Sequence, residues 1–167
     1  HREPLDPEGR RYLVADARSG DALGKVVDKI RSLPGWLGVI DGGGNRSEMD
    51  RKLYGLANLV LLPFRESHED IRTVIRDLEA FPRARAVPSQ WPTNPWQQEA
   101  ARKALREQLG SFADRLLQPV NALSASKLLL QRNIPDKLPT ALGNACRALA
   151  YQVMEVLEVP CDAPVEE

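Results

Sequence analysis

The sequence lacks a long apolar run, and it is poor in the residues that build metal sites and disulfide frameworks. Its 167 residues include only two cysteines and two histidines, and no segment reaches the roughly 18 apolar residues that a membrane span requires. Cys146 and Cys161 have neither zinc-site nor disulfide-framework spacing, so we expect free thiols in a reducing, cytoplasmic compartment. With His1 terminal, a Ser-His-Asp or Cys-His catalytic set would depend on His68 alone.

The sequence also lacks an excess of charge of either sign. Lys plus Arg and Asp plus Glu number 23 each, so the net charge does not indicate a nucleic-acid or membrane partner. A basic patch on one face of the protein is still compatible with this balance. The chain begins at His1 without an initiator methionine. We therefore expect that a leading segment is missing from this sequence or was removed from it.

The most informative stretch is an apolar run that ends in a carboxylate and three glycines, at residues 35–45 (GWLGVIDGGGN). A short run with Val and Ile, bounded by turn formers, predicts a central strand buried on both faces, as in a parallel sheet. Asp41 would then lie at the carboxyl end of that strand, where open sheets bind ligands and where Mg²⁺ and phosphate are readily held. The alternative is an Asp that caps the following helix.

Strand and helix patterns alternate along the rest of the chain. Strands are predicted at 11–16, 57–64, 83–89 (a weaker strand near an edge, because of its charges and proline) and 115–120, and helices begin near residues 19, 47, 67, 97, 124 and 139. This order predicts an α/β fold, a three-layer sandwich with a mostly parallel central sheet flanked by helices. Residues 1–159 are expected to form one domain and residues 160–167 a flexible tail.

Two acidic strand ends are separated by about one strand-helix-strand unit. If their strands are neighbours, Asp16 and Asp41 project from the same edge of the sheet. Such a pair suits nucleotide hydrolysis, in which one carboxylate holds magnesium and the other orients the attacking water. Both residues could instead be helix caps.

Two other segments leave a functional and a structural interpretation open. Residues 20–26 (GDALGKV) follow a predicted strand as a phosphate-binding loop would, but the loop pattern needs four residues between its glycines and a hydroxyl after the lysine. They are either a degenerate phosphate site or ordinary helix residues. Trp91 and Trp96, in a proline-rich loop after a predicted strand, either flank a base or a partner or cover the core.

The order of these signals resembles the ParA/MinD family of deviant P-loop ATPases, which act in DNA partition and in positioning the division site. Residues 12–16 (YLVAD) are similar to the strand of the family's second aspartate motif, and 39–44 (VIDGGG) to its Walker B strand and following turn. Residues 57–64 (ANLVLLPF) resemble a later family strand, with Asn58 in place of the usual Asp. The resemblance extends over about residues 11–158.

The resemblance implies a fold, a ligand and partners. It implies a P-loop NTPase-like fold that binds ATP and Mg²⁺, forms an ATP-dependent homodimer, responds to a partner protein that stimulates hydrolysis, and binds DNA or membrane. Because residues 159–167 are acidic and not a basic amphipathic tail, we expect non-specific DNA and no membrane. Asp16 and Asp41 would be catalytic, and Asp41 would hold magnesium through water. The other implied residues are Gly42, Gly43, Gln90, Trp91 and Pro92 for the nucleotide, and Lys127, Arg132, Lys137 and Arg147 for DNA.

One departure from the family bears directly on activity. The family's K-G-G-x-x-K-[ST] loop precedes its first aspartate motif, and this sequence has no such loop. If a missing leading segment carries that loop, we expect an ATPase that acts in plasmid or DNA partitioning or in cargo positioning. Otherwise we expect a non-catalytic interaction module that keeps the sheet, has lost nucleotide binding, and docks a partner on the loop with Trp91 and Trp96.

Overall fold

The computed structural model of the protein describes residues 15, 19–33, 36–42, 47–130 and 137–159. The chain divides into two compact units, His1–Ala57 and Asn58–Glu167. The predicted strand at 11–16 lies almost entirely outside the described residues, as does the predicted tail.

The described part of the first unit contains two helices. Helix α1 (Gly20–Arg31) begins where predicted, because the Ser19 side chain accepts a hydrogen bond from the Ala22 N–H at 3.2 Å. Helix α2 (Ser47–Leu56) also begins where predicted and continues past Gly55 to Leu56. The Arg31 guanidinium donates to the Leu56 carbonyl oxygen at 3.0 Å and ties the carboxyl ends of the two helices together.

The segment at 36–42 differs from its prediction as a buried central strand. It forms no regular strand, and it leaves Trp36 47%, Leu37 57% and Val39 91% exposed. An apolar run becomes a buried strand only where neighbouring strands pair with both of its edges, and no strand of the described residues pairs with this one. Asp41 therefore lies near the end of an exposed segment that has no strand assignment in this structure.

The second unit contains the sheet. Strands β1 (Val60–Phe64) and β2 (Ala84–Pro88) are parallel, in register from Val60 opposite Ala84 to Phe64 opposite Pro88, and helix α3 (His68–Ala80) connects them. The later elements are helix α4 (Pro95–Leu109), the 3₁₀ helices Gly110–Arg115 and Ser124–Leu130, and helix α5 (Thr140–Val156).

A third segment extends this sheet on the far side of β2. Residues 116–122 form parallel bridges from Leu116 to Ala86 and from Asn121 to Trp91. The Val120 N–H also donates to the Pro88 carbonyl oxygen at 2.8 Å. The predicted strand at 115–120 is thus present in irregular form. Strand β2, predicted near an edge, has β1 on one side and this irregular segment on the other. Its proline is its last residue, where the missing N–H disrupts little.

The core of the second unit lies between this sheet and two helices. Ala84 and Ala86 of β2 are completely buried, and small side chains there let the helices approach the sheet closely. The buried cluster joins them to residues of α3, α4 and the loop after β2: Ile71, Val74, Leu78, Trp91, Ala101, Leu105 and Leu109. The predicted apolar stripe of α3 is therefore confirmed.

The described residues have a mixed α/β fold that contains a small parallel sheet. The three-layer arrangement remains a prediction. Among the described residues, no helix has both the length and the apolar character needed to cross a bilayer.

Candidate ligand-binding edge of the parallel sheet

The carboxyl ends of the sheet segments define the candidate site. Strand β1 ends at Phe64, β2 ends at Pro88, and residues 116–122 run parallel to both. All three therefore end at one edge of the sheet, and ligands of open parallel sheets bind outside this edge. The longest described connection that leaves it is the loop at residues 89–94; together with the first two residues of α4 we call residues 89–96 the edge loop.

Backbone hydrogen bonds fix the first half of the edge loop to the sheet. The Ser89 N–H donates to the Phe64 carbonyl oxygen at 2.7 Å, and the Trp91 N–H donates to the Val120 carbonyl oxygen at 2.9 Å. The Trp91 carbonyl oxygen accepts from the Ala122 N–H at 2.9 Å. The Trp91 side chain is only 4% exposed and belongs to the core cluster, so its packing fixes the loop to the core.

The second half of the edge loop is fixed to α4. The Asn94 side chain accepts from the Trp96 N–H at 2.9 Å, and Pro95 is the first residue of the helix, where a missing N–H costs nothing. The Gln98 side-chain amide donates to the Pro92 carbonyl oxygen at 2.9 Å. These contacts place Trp96 in the first turn of α4 with its side chain 87% exposed.

Between these anchors, Gln90 has an unusual backbone conformation. Its φ of 54° lies in the left-handed region, which favours glycine over residues with a Cβ atom. The residue is exposed, and its side chain makes no hydrogen bond to any residue that the structure describes. The backbone hydrogen bonds of its neighbours Ser89 and Trp91 therefore maintain this strained conformation, and side-chain contacts of Gln90 do not.

The nucleotide residues implied by the resemblance differ in accessibility. Gln90 is exposed and Pro92 is half-buried with its carbonyl oxygen already occupied. Because the Trp91 ring is buried, only the backbone of that residue can border a ligand at this edge. The structure thus supports the interpretation that Trp91 covers the core, and it leaves Trp96 as the accessible aromatic ring of the loop.

The structure describes one of the two predicted catalytic carboxylates. Asp41 is exposed at the end of the 36–42 segment, followed by exposed Gly42. A Cβ atom on Gly42 would lie 3.3 Å from a Leu53 methyl carbon, so α2 passes close to this backbone. Asp16 and Gly43 lie outside the described residues, and the proposed pairing of Asp16 with Asp41 remains a prediction.

The phosphate-loop alternative at residues 20–26 is resolved by the helix. Gly20 is the first residue of α1 and Gly24 lies within it, and Lys25 is exposed on its surface. A phosphate-binding loop would present its backbone N–H groups before the helix begins. This segment is therefore ordinary helix, the structural interpretation left open above.

The candidate DNA-binding cations belong to separate parts of the second unit. Lys127 lies in the 3₁₀ helix Ser124–Leu130, and Lys137 precedes α5. Arg147 lies on α5 and donates to the Asn144 side chain at 2.7 Å. All three are exposed, as expected of charged residues whether or not they bind DNA. Arg132 lies outside the described residues.

A small cleft between β1 and α3 is a weaker candidate. It has a volume of about 230 Å³, below the roughly 300 Å³ at which ligand pockets usually begin. Its carboxylates already have partners: Asp70 accepts from the Arg65 backbone N–H at 3.1 Å, and Asp77 pairs with Arg76 at 3.2 Å. The described residues also contain no cluster of three or more His, Cys, Asp or Glu side chains suited to a metal ion.

Comparison with models of protein families, with curated proteins and with solved structures gives no match to this chain. The assignment of the candidate site therefore rests on the local geometry of the described residues. Sequence patterns located the loop after β2 but not the strain at Gln90, for which they carry no signal. The Asn94-Pro95 pair is a helix-start signal that would have placed Trp96 on the first turn of α4.

Proposed function

We propose that this protein is a ParA-like ATPase domain that acts in DNA or plasmid partitioning, or in intracellular cargo positioning, through an ATP-dependent dimer. The observation that carries the proposal is the parallel sheet, whose segments all end at one edge beside the anchored edge loop. Proteins of this kind are cytoplasmic and have a three-layer α/β sandwich. The similarity of residues 12–16 and 57–64 to strands of the family supports the proposal from the sequence.

The residues have distinct proposed roles. The carboxylate of Asp41 holds magnesium through water, and Asp16 positions the attacking water. Gly42 and Gly43 approach the γ-phosphate with backbone N–H groups, and residues 90–95 border the base. Lys127, Arg132, Lys137 and Arg147 are the proposed contacts to DNA phosphates.

The donor chemistry of Asp41 fits magnesium. Mg²⁺ retains several waters and is usually held by one or two carboxylates together with substrate phosphates. An exposed carboxylate followed by a glycine gives the ion and a phosphate room to approach. When bound, the ion supplies charge neutralisation for the phosphoryl group, and the residue's part is to orient its water shell.

Calorimetric titration tests the proposal on the protein produced from its natural start codon. We expect magnesium-dependent ATP binding with micromolar affinity. Asp41→Ala should weaken this binding or abolish turnover, because the metal loses its carboxylate. Asp28→Ala is the matched control, since Asp28 is an exposed aspartate on α1 of the same unit, and it should bind ATP like the wild type. Absence of binding at millimolar ATP would overturn the ATPase proposal.

One observation favours a second candidate function. Trp96 is 87% exposed on a fixed backbone, and tryptophan is enriched at protein-binding hot spots. A non-catalytic interaction module would use this ring to dock a partner protein without any nucleotide. Unchanged stability of the protein in millimolar Mg-ATP, together with absence of calorimetric binding, is the result that this alternative predicts.

A further inference from the structure

Helix α5 is apolar in composition, and the protein buries little of it. Among its 17 residues Arg147 and Glu155 alone are charged, and Leu142 alone is buried. Tyr151, in the middle of the helix, is 59% exposed. A helix with so few charges is usually covered by protein over more of its surface. The packing of the described residues does not explain why the outer face of α5 is so apolar.

The exposed side of α5 lies opposite the side that packs. Apolar residues at helical spacing, buried or half-buried, make up the packed side: Leu142, Leu149, Val153 and Val156. Tyr151 lies on the opposite side, and Arg147 and Glu155 lie about one turn before and after it. These three residues are exposed, as are Asn144 and Ala148 beside them. We call the five residues the Tyr151 face.

The two charges of this face have no ionic partner within the chain that the structure describes. Arg147 donates to the Asn144 side chain, which is neutral, at 2.7 Å. Neither Arg147 nor Glu155 forms an ion pair with a described residue. Residues eight apart on a helix are separated by about 12 Å along its axis, too far for these two to pair with each other.

A second copy of the same helix supplies both missing partners. When two α5 helices run antiparallel about a two-fold axis through Tyr151, a residue one turn before Tyr151 faces the residue one turn after it in the other copy. Arg147 of each copy then faces Glu155 of the other, and the two Tyr151 rings meet at the axis. The short side chain of Ala148 lets the helices approach closely. The face is thus self-complementary, as a two-fold interface requires.

We propose that the Tyr151 face binds a second copy of this chain through antiparallel pairing of the α5 helices. This dimer needs no nucleotide, so it is distinct from the ATP-dependent dimer of the proposed function and does not rest on it. Helix α5 is only about 25 Å long, and one helix pair buries less than the roughly 1,200 Å² of a stable interface. We therefore expect a weak dimer with a Kd of about 10–100 µM.

Sedimentation equilibrium of the protein produced from its natural start codon, without nucleotide, magnesium or DNA, tests the dimer. Between about 1 µM and 500 µM the average mass should rise from that of a monomer towards that of a dimer. Tyr151→Ala should weaken the dimer about tenfold, because the rings at the axis are lost. Raising the salt from about 0.05 M to 0.5 M should weaken it about threefold or more, because exposed charge pairs are screened.

Charge reversal tests the partner and its direction. Arg147→Glu and Glu155→Arg should each weaken self-association about tenfold or more, because each turns two attractive contacts into two repulsive ones. The double variant Arg147→Glu/Glu155→Arg should regain the wild-type affinity. An equal mixture of the two single variants should form a heterodimer, since one carries two negative charges on this face and the other two positive charges. Arg72→Glu, at an exposed arginine on α3, is the matched control and should dimerise like the wild type.

Each outcome decides the proposal. Recovery in both the double variant and the mixture supports antiparallel pairing, because the two charges cannot reach each other within one helix. A monomer at about 500 µM overturns it, as does a dimer that the reversals leave unchanged. If Arg147→Glu weakens DNA binding but not self-association, the face serves DNA and the inference is overturned. A dimer that forms with ATP alone and ignores the reversals overturns the inference and leaves the proposed function standing.

Discussion

At the scale of single residues, one arginine satisfies three backbone carbonyl groups. The Arg115 guanidinium donates to the carbonyl oxygens of Leu78 at 2.9 Å, Phe81 at 2.6 Å and Ala84 at 3.1 Å. The first two lie at the carboxyl end of α3, which has no basic residue in its own last turn. Arg115 thus supplies the cation that a helix carboxyl terminus favours, and it joins α3 to the start of β2.

Arg115→Ala should lower the free energy of unfolding by about 2–3 kcal/mol, because half-buried carbonyl groups lose charge-assisted hydrogen bonds. Arg115→Lys should recover only part of this loss, since an ammonium group cannot reproduce the planar fork of donors. Urea unfolding measures both changes. Arg102→Ala, at an exposed arginine on α4, is the control and should cost no more than about 0.5 kcal/mol. Equal effects at the two positions would contradict the role of Arg115.

At the scale of elements, local signals predicted the helices well. The start of α3 followed from Ser67, whose side chain accepts from the Asp70 N–H at 3.2 Å, and from a stripe that is buried as predicted. Strand environment was harder to predict, because pairing is decided by distant segments. The charges and proline of β2 indicated a position near an edge, but they did not indicate that residues 116–122 form bridges on its other side.

One further difference from prediction, and one question that the sequence left open, have the same physical origin. The pattern of residues 36–41 is typical of a buried strand, but burial requires neighbouring strands and the segment is exposed here. Trp91 and Trp96 look alike in sequence, and tertiary contacts alone decide that one is 4% exposed and the other 87%. The sequence indicated which loop is the candidate site. The exposure and the hydrogen bonds of its residues could be learned only from the structure.

The carboxyl end of α5 provides an element-scale prediction. Glu158 has φ 55° and donates its N–H to the Glu155 carbonyl oxygen, while the Val159 N–H donates to Met154 at 2.9 Å. This is a Schellman motif with glutamate at the position that favours glycine. Glu158→Gly should therefore raise the free energy of unfolding by about 1 kcal/mol, measured by urea unfolding. Glu158→Ala retains the strained Cβ and should give no such gain; a gain as large as that of glycine would contradict this explanation.

At the scale of the whole chain, we expect ligand binding at the sheet edge where the parallel segments end together. β1, β2 and residues 116–122 converge on one edge, and the edge loop is anchored there by backbone bonds, a buried ring and a helix cap. A fixed loop with exposed polar and aromatic side chains is suited to ligand binding.

Hydrogen exchange of the backbone amides, with and without saturating Mg-ATP, tests this claim most directly. We predict slower exchange within residues 89–96 when Mg-ATP is present, because a ligand at the sheet edge covers this backbone. Exchange in α5 should be unchanged in the same samples. Unchanged exchange in the edge loop at a nucleotide concentration that saturates calorimetric binding, or absence of binding altogether, would contradict the assignment of this edge as the ligand site.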